Sequence, residues 1–159
     1  MLTRRQGFWT DVTLQGTYEP SSAEWVREQV EAYEASGGIE ANILRGRPEW
    51  PIVVITSIGA RSGKLRKNPV MRVEKDGVYA AVASYGGSPA HPTWYYNFLA
   101  NPHVDLQDGP EPHEYVARLA EGAEREEWWE RCVAQYAPYA DYQERTDREI
   151  PVFLLERVS

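Results

Sequence analysis

The sequence holds a single cysteine, Cys132, in 159 residues. That excludes a disulfide framework within one chain and agrees with a reducing, cytoplasmic compartment. No apolar run approaches the roughly 20 residues that span a bilayer. The opening Met-Leu-Thr-Arg-Arg-Gln is charged and leads into no apolar core, so no secretory leader is expected. His91, His103 and His113 lack metal-ligand spacing with one another or with Cys132, so no metal is expected. Without a Gly-x-Ser-x-Gly elbow, a serine hydrolase has no support. Cys132 lies beside Trp129 among acids, an environment for a buried, inert thiol. Positive charge is scarce: 17 Lys and Arg against 24 Asp and Glu leave a net charge of −7, which argues against nucleic acid as a partner.

The scarce cations are concentrated. Between the β-branched run Val53-Val-Ile-Thr-Ser-Ile58 and the extended run Pro69-Val-Met-Arg72 lies a polar stretch with Arg61, Lys64, Arg66 and Lys67, two glycines and no acid. Strand, loop, strand is the expected form. Glycines let backbone N–H groups approach an anion, and arginine forks fit phosphate or carboxylate. A phosphate-cradling P-loop is excluded: three residues, not four, separate Gly59 from Gly63, and Leu65 follows Lys64. The competing reading is a solvated hairpin loop whose charges only confer solubility.

Residues 1–20, with scattered aromatics and no period, read as an arm that folds over the body, pairs with a second subunit or touches a membrane surface. Residues 21–159 read as one domain. A helix is expected after Ser21, with Ser21 and Glu24 as a capping box, Gly37-Gly38 as the stop, and Val26, Val30 and Tyr33 facing a sheet. Strands are expected at 70–74 and 78–84 around Lys75-Asp-Gly77, at 104–107 and 115–119 around Asp108-Gly-Pro110, and at 151–158. Helices are expected near 93–100 and 123–135. Short strands and short turns imply an antiparallel sheet that closes toward a barrel, an α+β but mainly β fold.

Two further stretches suit a planar ligand. From Ser84 to Asn97, a Gly-Gly turn precedes a short helix in which Trp94 and Asn97, three apart, share a face and could bracket a ring; a rigid turn with a core Trp is the alternative. Tyr136, Tyr139 and Tyr142, broken by Pro138, form a wall or lid that could donate to a developing oxyanion; packing at a barrel mouth is the alternative.

Together these stretches resemble the deazaflavin-dependent nitroreductase family of actinobacteria. The resemblance covers about residues 43–157 and rests on three ordered motifs: Thr56-Ser-Ile-Gly-Ala-Arg-Ser-Gly-Lys64 with Arg66 and Pro69; Ser84 with Gly86-Gly87 and Pro92-Thr-Trp-Tyr-Tyr-Asn97; and the tyrosine triplet before Thr146-Asp-Arg-Glu-Ile-Pro151. It implies a split antiparallel β-barrel, similar to flavin-mononucleotide-binding reductases, with flanking helices and often a dimer. The implied cofactor is coenzyme F420, a deazaflavin with a phospholactyl-oligoglutamate tail. Ala60, Arg61, Ser62, Lys64, Arg66, Lys67, Asn68, Pro69 and Val70 are implied around the phosphate and tail, and Val82, Ala83, Ser84 and Tyr85 beside the ring. Thr93, Trp94, Tyr95, Tyr96 and Asn97 close the phosphate and ribityl side. Tyr139, with Tyr136, Tyr142 and Ser84, is implied near the ring and substrate as the catalytic set. Many relatives carry lysine in place of Ala90 and some a cation in place of Tyr85, so tail binding is expected to lean on residues 61–67. The implied reaction is hydride transfer from the reduced deazaflavin to an electron-poor quinone, nitro compound or enone. The rivals are a flavin-mononucleotide reductase of the same fold, a non-catalytic deazaflavin carrier and a plain anion-binding module.

Overall fold

The apolar run Ile52-Val-Val-Ile55 offers no polar face, so its strand must be covered on both sides. A computed structural model, which describes residues 14–158, shows how. The run lies in β2 (Arg47–Ile58), which pairs antiparallel with β1 (Ile43–Leu44), β3 (Leu65–Met71) and β6 (His103–Gln107). From β6 the sheet continues through β7 (Pro112–Leu119), β8 (Val152–Arg157) and β5 (Val78–Val82) to β4 (Val73–Lys75). Residues 65–75 are one bent run: β3 pairs with β2, Arg72 donates its N–H to the Pro51 carbonyl at 2.9 Å, and β4 then pairs with β5. This bend joins the two ends of the curled sheet into the split antiparallel barrel.

Side chains alternate between two cores. Val53 and Ile55 pack with Val104, Leu106, Phe153 and Leu155 under α2 (Thr93–Ala100), where Phe98 is buried. Ile52 and Val54 pack with Val152 and Leu154 under α1 (Glu24–Ala35), α3 (Gly122–Gln135) and α4 (Pro138–Glu144). Val26, Val30 and Tyr33 of α1 are buried as their spacing predicts, each worth roughly 1.5–3 kcal/mol of apolar burial. The Tyr33 hydroxyl also donates to the Gln107 carbonyl and accepts from Gly109 N–H.

Several expectations are corrected. The capping box at Ser21 does not form: the helix begins at Glu24 with Ala23 at the N-cap, and Ser21 Oγ instead accepts from Ala23 N–H at 3.1 Å. The strand expected at 70–74 is interrupted at Arg72, and the one expected at 78–84 ends at Val82, because a 3-10 turn over Tyr85–Gly87 follows. Lys75 belongs to β4, leaving Asp76-Gly77, both at positive φ, as a two-residue turn. Sheet structure begins earlier than Ile52, since β1 and the first half of β2 flank Arg45-Gly46. Residues 1–13 of the expected arm lie outside the described residues. Residues 17–19 run beside β3, with Leu65 N–H bonded to the Thr17 carbonyl and Glu19 N–H to the Leu65 carbonyl, both at 2.9 Å. No described helix is long and apolar enough to cross a membrane.

Candidate active site

A cleft of about 470 Å³ opens between the first turn of α1, strand β3, the 84–86 turn, the start of α2 and the tyrosines around α4. Its size falls within the usual range for small-molecule sites. Its floor is apolar, from Val26, Leu44, Ile52, Met71 and Val82. Around that floor stand Trp25, Trp94, Tyr136, Tyr139 and Tyr142. Trp25 is 60% exposed, an unusual state for an indole beside an apolar cleft.

The polar groups of the lining are largely uncommitted. The side chains of Asn68, Ser84 and Thr93 make no hydrogen bond within the described residues, and no side chain caps α2. The tyrosines divide into two kinds. The hydroxyls of Tyr136 and Tyr142 lie 3.1 Å apart, and Arg45 donates to the Tyr136 hydroxyl at 3.4 Å. The Tyr139 hydroxyl has no partner among the described residues, although its ring is held edge-on against Tyr136. Burial pushes Tyr139 well above the ordinary phenol range, and pushes up Tyr136, which also bonds Tyr142. Both phenols are therefore protonated donors at neutral pH.

The 84–87 turn has a physical reason for its glycines. Gly86 and Gly87 lie at φ 64° and 83°, and a Cβ on Gly87 would sit 2.7 Å from the Tyr142 carbonyl oxygen. Gly87 thus lets the turn close against α4, while Gly86 supplies a left-handed φ in open space. Tyr85 beside them holds φ 46° while its side chain is 61% exposed on the cleft; a non-glycine residue in this region is strained and warrants a functional reading.

Of the residues expected at the site, the cleft brings together Arg66, Asn68, Pro69, Val70, Val82, Ser84, Tyr85, Thr93, Trp94, Asn97, Tyr136, Tyr139 and Tyr142. Asn97 is buried, and its side-chain oxygen accepts from Ala60 N–H at 2.9 Å, tying the 59–64 loop to α2. Ala60, Arg61, Ser62 and Lys64 are exposed in that loop beside the cleft lining rather than in it. Ala83 is buried behind Ser84. Tyr95 packs on Phe153 and stacks on His91, and Tyr96 is half exposed, both outside the lining. Lys67 points away, into a smaller cavity, and is ion-paired with Glu34 of α1. Arg66 meets Glu19 at 3.4 Å, and Arg72 meets Asp108 at 2.8 Å. The cationic run is thus partly neutralised inside the fold by acids distant in sequence.

Three lining or supporting residues were not singled out from the sequence. Arg45 sits at the cleft because the β1–β2 turn, with Arg45 at φ 52°, projects it there. Trp25 is at the first turn of α1, and only its off-stripe position relative to Val26 signalled exposure. Arg148, within the third motif, donates to the Ala83, Ser84 and Ser88 carbonyls. Cys132 is buried with its thiol pushed up to about 12 by burial, in line with an inert role.

Comparison with known proteins shows the family. A family model described as F420H(2)-dependent quinone reductase matches residues 25–157. An F420H(2)-dependent quinone reductase of Mycobacterium tuberculosis is 30% identical over 128 residues, 79% of this chain and 85% of that protein. A solved structure described as an F420-H2-dependent reductase is 56% identical, covering 67% of this chain and 94% of that chain at a TM-score of 0.64. Another, described as a domain-swapped dimer, is 50% identical, covering 86% of this chain and 100% of that chain at a TM-score of 0.66.

Proposed function

The chain belongs to the F420H(2)-dependent quinone reductase family, and from that premise we propose that its cleft holds reduced coenzyme F420 against a quinone. The activity is an F420-dependent oxidoreduction. The carrying observation is the conjunction, in one cleft, of uncommitted polar side chains, aromatic walls and a phenol donor with a free hydroxyl.

The residues present fit the cofactor. An elongated polyanion with a flat head needs a basic side and a flat side. Arg66, Asn68 and Thr93, with the uncapped start of α2, offer the first; Arg61 and Lys64, exposed just beyond, extend it toward a charged tail. Val82, Ser84 and Tyr85 offer the second. When bound, the reduced deazaflavin supplies a hydride. The chain orients the two partners, excludes water with its apolar floor, and supplies a proton. Tyr139 is the proposed donor, because its hydroxyl is uncommitted and its proton is retained at neutral pH. A quinone oxygen that gains negative charge takes a hydrogen bond from Tyr139 and then the proton, giving the hydroquinone. Ser84 Oγ is the supporting donor on the opposite wall, and the Arg45–Tyr136–Tyr142 array adds positive potential on the acceptor side.

The test is direct. The protein should quench the fluorescence of oxidised coenzyme F420 and not bind flavin mononucleotide comparably, and it should reoxidise the reduced coenzyme only when a quinone is supplied. Binding without reoxidation by quinones, nitroaromatics or enones would make the chain a carrier. In the same reading the working form is a homodimer, supported by the relative described as a domain-swapped dimer. Light scattering of the full chain tests the dimer, and vesicle co-sedimentation tests the membrane contact expected of the arm, whose residues 17–19 lie along β3.

A further inference from the structure

The turn that walls the cleft has little of its own to hold it. Its internal bonds are Gly87 N–H to the Ser84 carbonyl and Ser88 N–H to the Tyr85 carbonyl, and Tyr85 adopts a left-handed φ of 46° that L side chains resist. Two arginines from outside tie it together: Arg145 donates to the Gly86 carbonyl at 3.4 Å, and Arg148 makes the shorter and more numerous bonds. Arg148, just before β8, donates Nε–H to the Ser88 carbonyl at 2.9 Å, one terminal nitrogen to the Ser84 carbonyl at 2.9 Å, and the other to the Ala83 carbonyl at 3.2 Å. The same terminal nitrogen reaches His91 Nδ1 at 3.0 Å. No carboxylate among the described residues pairs with this guanidinium.

We propose that Arg148 is a positioning residue for the cofactor wall, held in place by a neutral His91, so that the wall is ordered when His91 is unprotonated and loosened when it is protonated. The inference rests on the reading that this turn flanks the deazaflavin. Its chemistry is simple. A guanidinium nitrogen only donates, so His91 Nδ1 must accept, which fixes the proton of the neutral ring on Nε2. Protonation gives Nδ1 a hydrogen, abolishes the acceptor and sets two cations in contact. Among the described residues, the groups facing His91 are Arg148 from the 146–151 segment and, from α2, Tyr95 stacked at 3.9 Å and Tyr96 edge-on at 5.9 Å; no carboxylate is among them. Burial and Arg148 both depress the His91 pKa below 6.5.

Amide hydrogen exchange of residues 84–88, normalised to the intrinsic rate at each pH, and fluorescence-quench affinity for oxidised coenzyme F420 test this between about pH 5 and 8. In the wild-type protein, exchange should rise and affinity fall several-fold as pH drops below 6.5. His91→Gln, whose amide oxygen accepts without titrating, should give flat profiles in both measurements. Arg148→Lys, which loses the planar fork, should exchange fast at all pH values and bind about tenfold more weakly. Flat wild-type profiles, or wild-type exchange in Arg148→Lys, would overturn the proposal. If Arg148→Lys does not fold, the wild-type and His91→Gln pair decides alone. Absence of quenching by every protein at every pH would instead sink the cofactor reading, while the exchange measurement still reports on the turn.

Discussion

Tyr136, Tyr139 and Tyr142 carry the same side chain and differ in what their hydroxyls already do. Two are spent on each other, and Arg45 fixes the first; the third is unengaged. Sequence spacing put the three on one wall, but it could not rank them, since the ranking depends on an arginine 91 residues away. The consequence is specific. Tyr139→Phe should lower kcat at least about tenfold, with the coenzyme Kd changed less than about twofold, measured by stopped-flow reoxidation and by quenching titration. Equal turnover would assign proton donation to Ser84 or water. The cations show the same limit. Arg61, Lys64, Arg66 and Lys67 are visible as charges in the sequence, whereas Glu19 and Glu34, which consume two of them, are not. Because Arg66 lines the cleft while Lys67 lines the smaller cavity, Arg66→Ala should weaken coenzyme binding more than Lys67→Ala does, and its effect should shrink as salt rises; titrations at two ionic strengths distinguish the pair.

Elements with local punctuation were legible. Pro92 starts α2, Asp76-Gly77 makes its hairpin, and α1 shows its buried face through spacing alone. Elements whose ends are set by tertiary contact were not. Helix α1 starts two residues later than a capping box at Ser21 would give, so its N-cap is Ala23, in extended conformation and without a side-chain acceptor. Ala23→Ser should supply that acceptor and add about 0.5–1 kcal/mol, raising Tm by about 1–4 °C in a thermal melt. The reason for Gly87 was equally hidden. Sequence offered a flexible Gly-Gly pair, but the structure shows a close approach, with a Cβ at 2.7 Å from the Tyr142 carbonyl oxygen and 3.1 Å from Arg145 Cβ. Gly87→Ala should cost about 1–3 kcal/mol and separate the turn from α4. Gly77→Ala, which meets nothing within 4 Å at a similar φ, provides the control for backbone strain alone.

At the scale of the whole molecule, the barrel closes by burying groups that tolerate only one protonation state, and this sets a pH window. Tyr33, Tyr79, Tyr115, Tyr136 and Tyr139 are all pushed above the phenol value of 10.0, burial being the largest cause for each. A raised folded-state pKa contributes stability that is intact below pH 10 and is lost as pH rises beyond it. His91 shifts the other way: its depressed pKa contributes stability that is intact above pH 6.5 and is lost as pH falls through the folded-state value. The melting temperature should thus be level between these limits and fall on both sides. On the alkaline side, tyrosinate absorbance from the buried set should appear only together with the loss of near-ultraviolet circular dichroism. A single tyrosinate transition complete near pH 10 in a protein that is still folded would show that water reaches the tyrosine wall freely. It would remove the basis for a dry proton donor in the cleft.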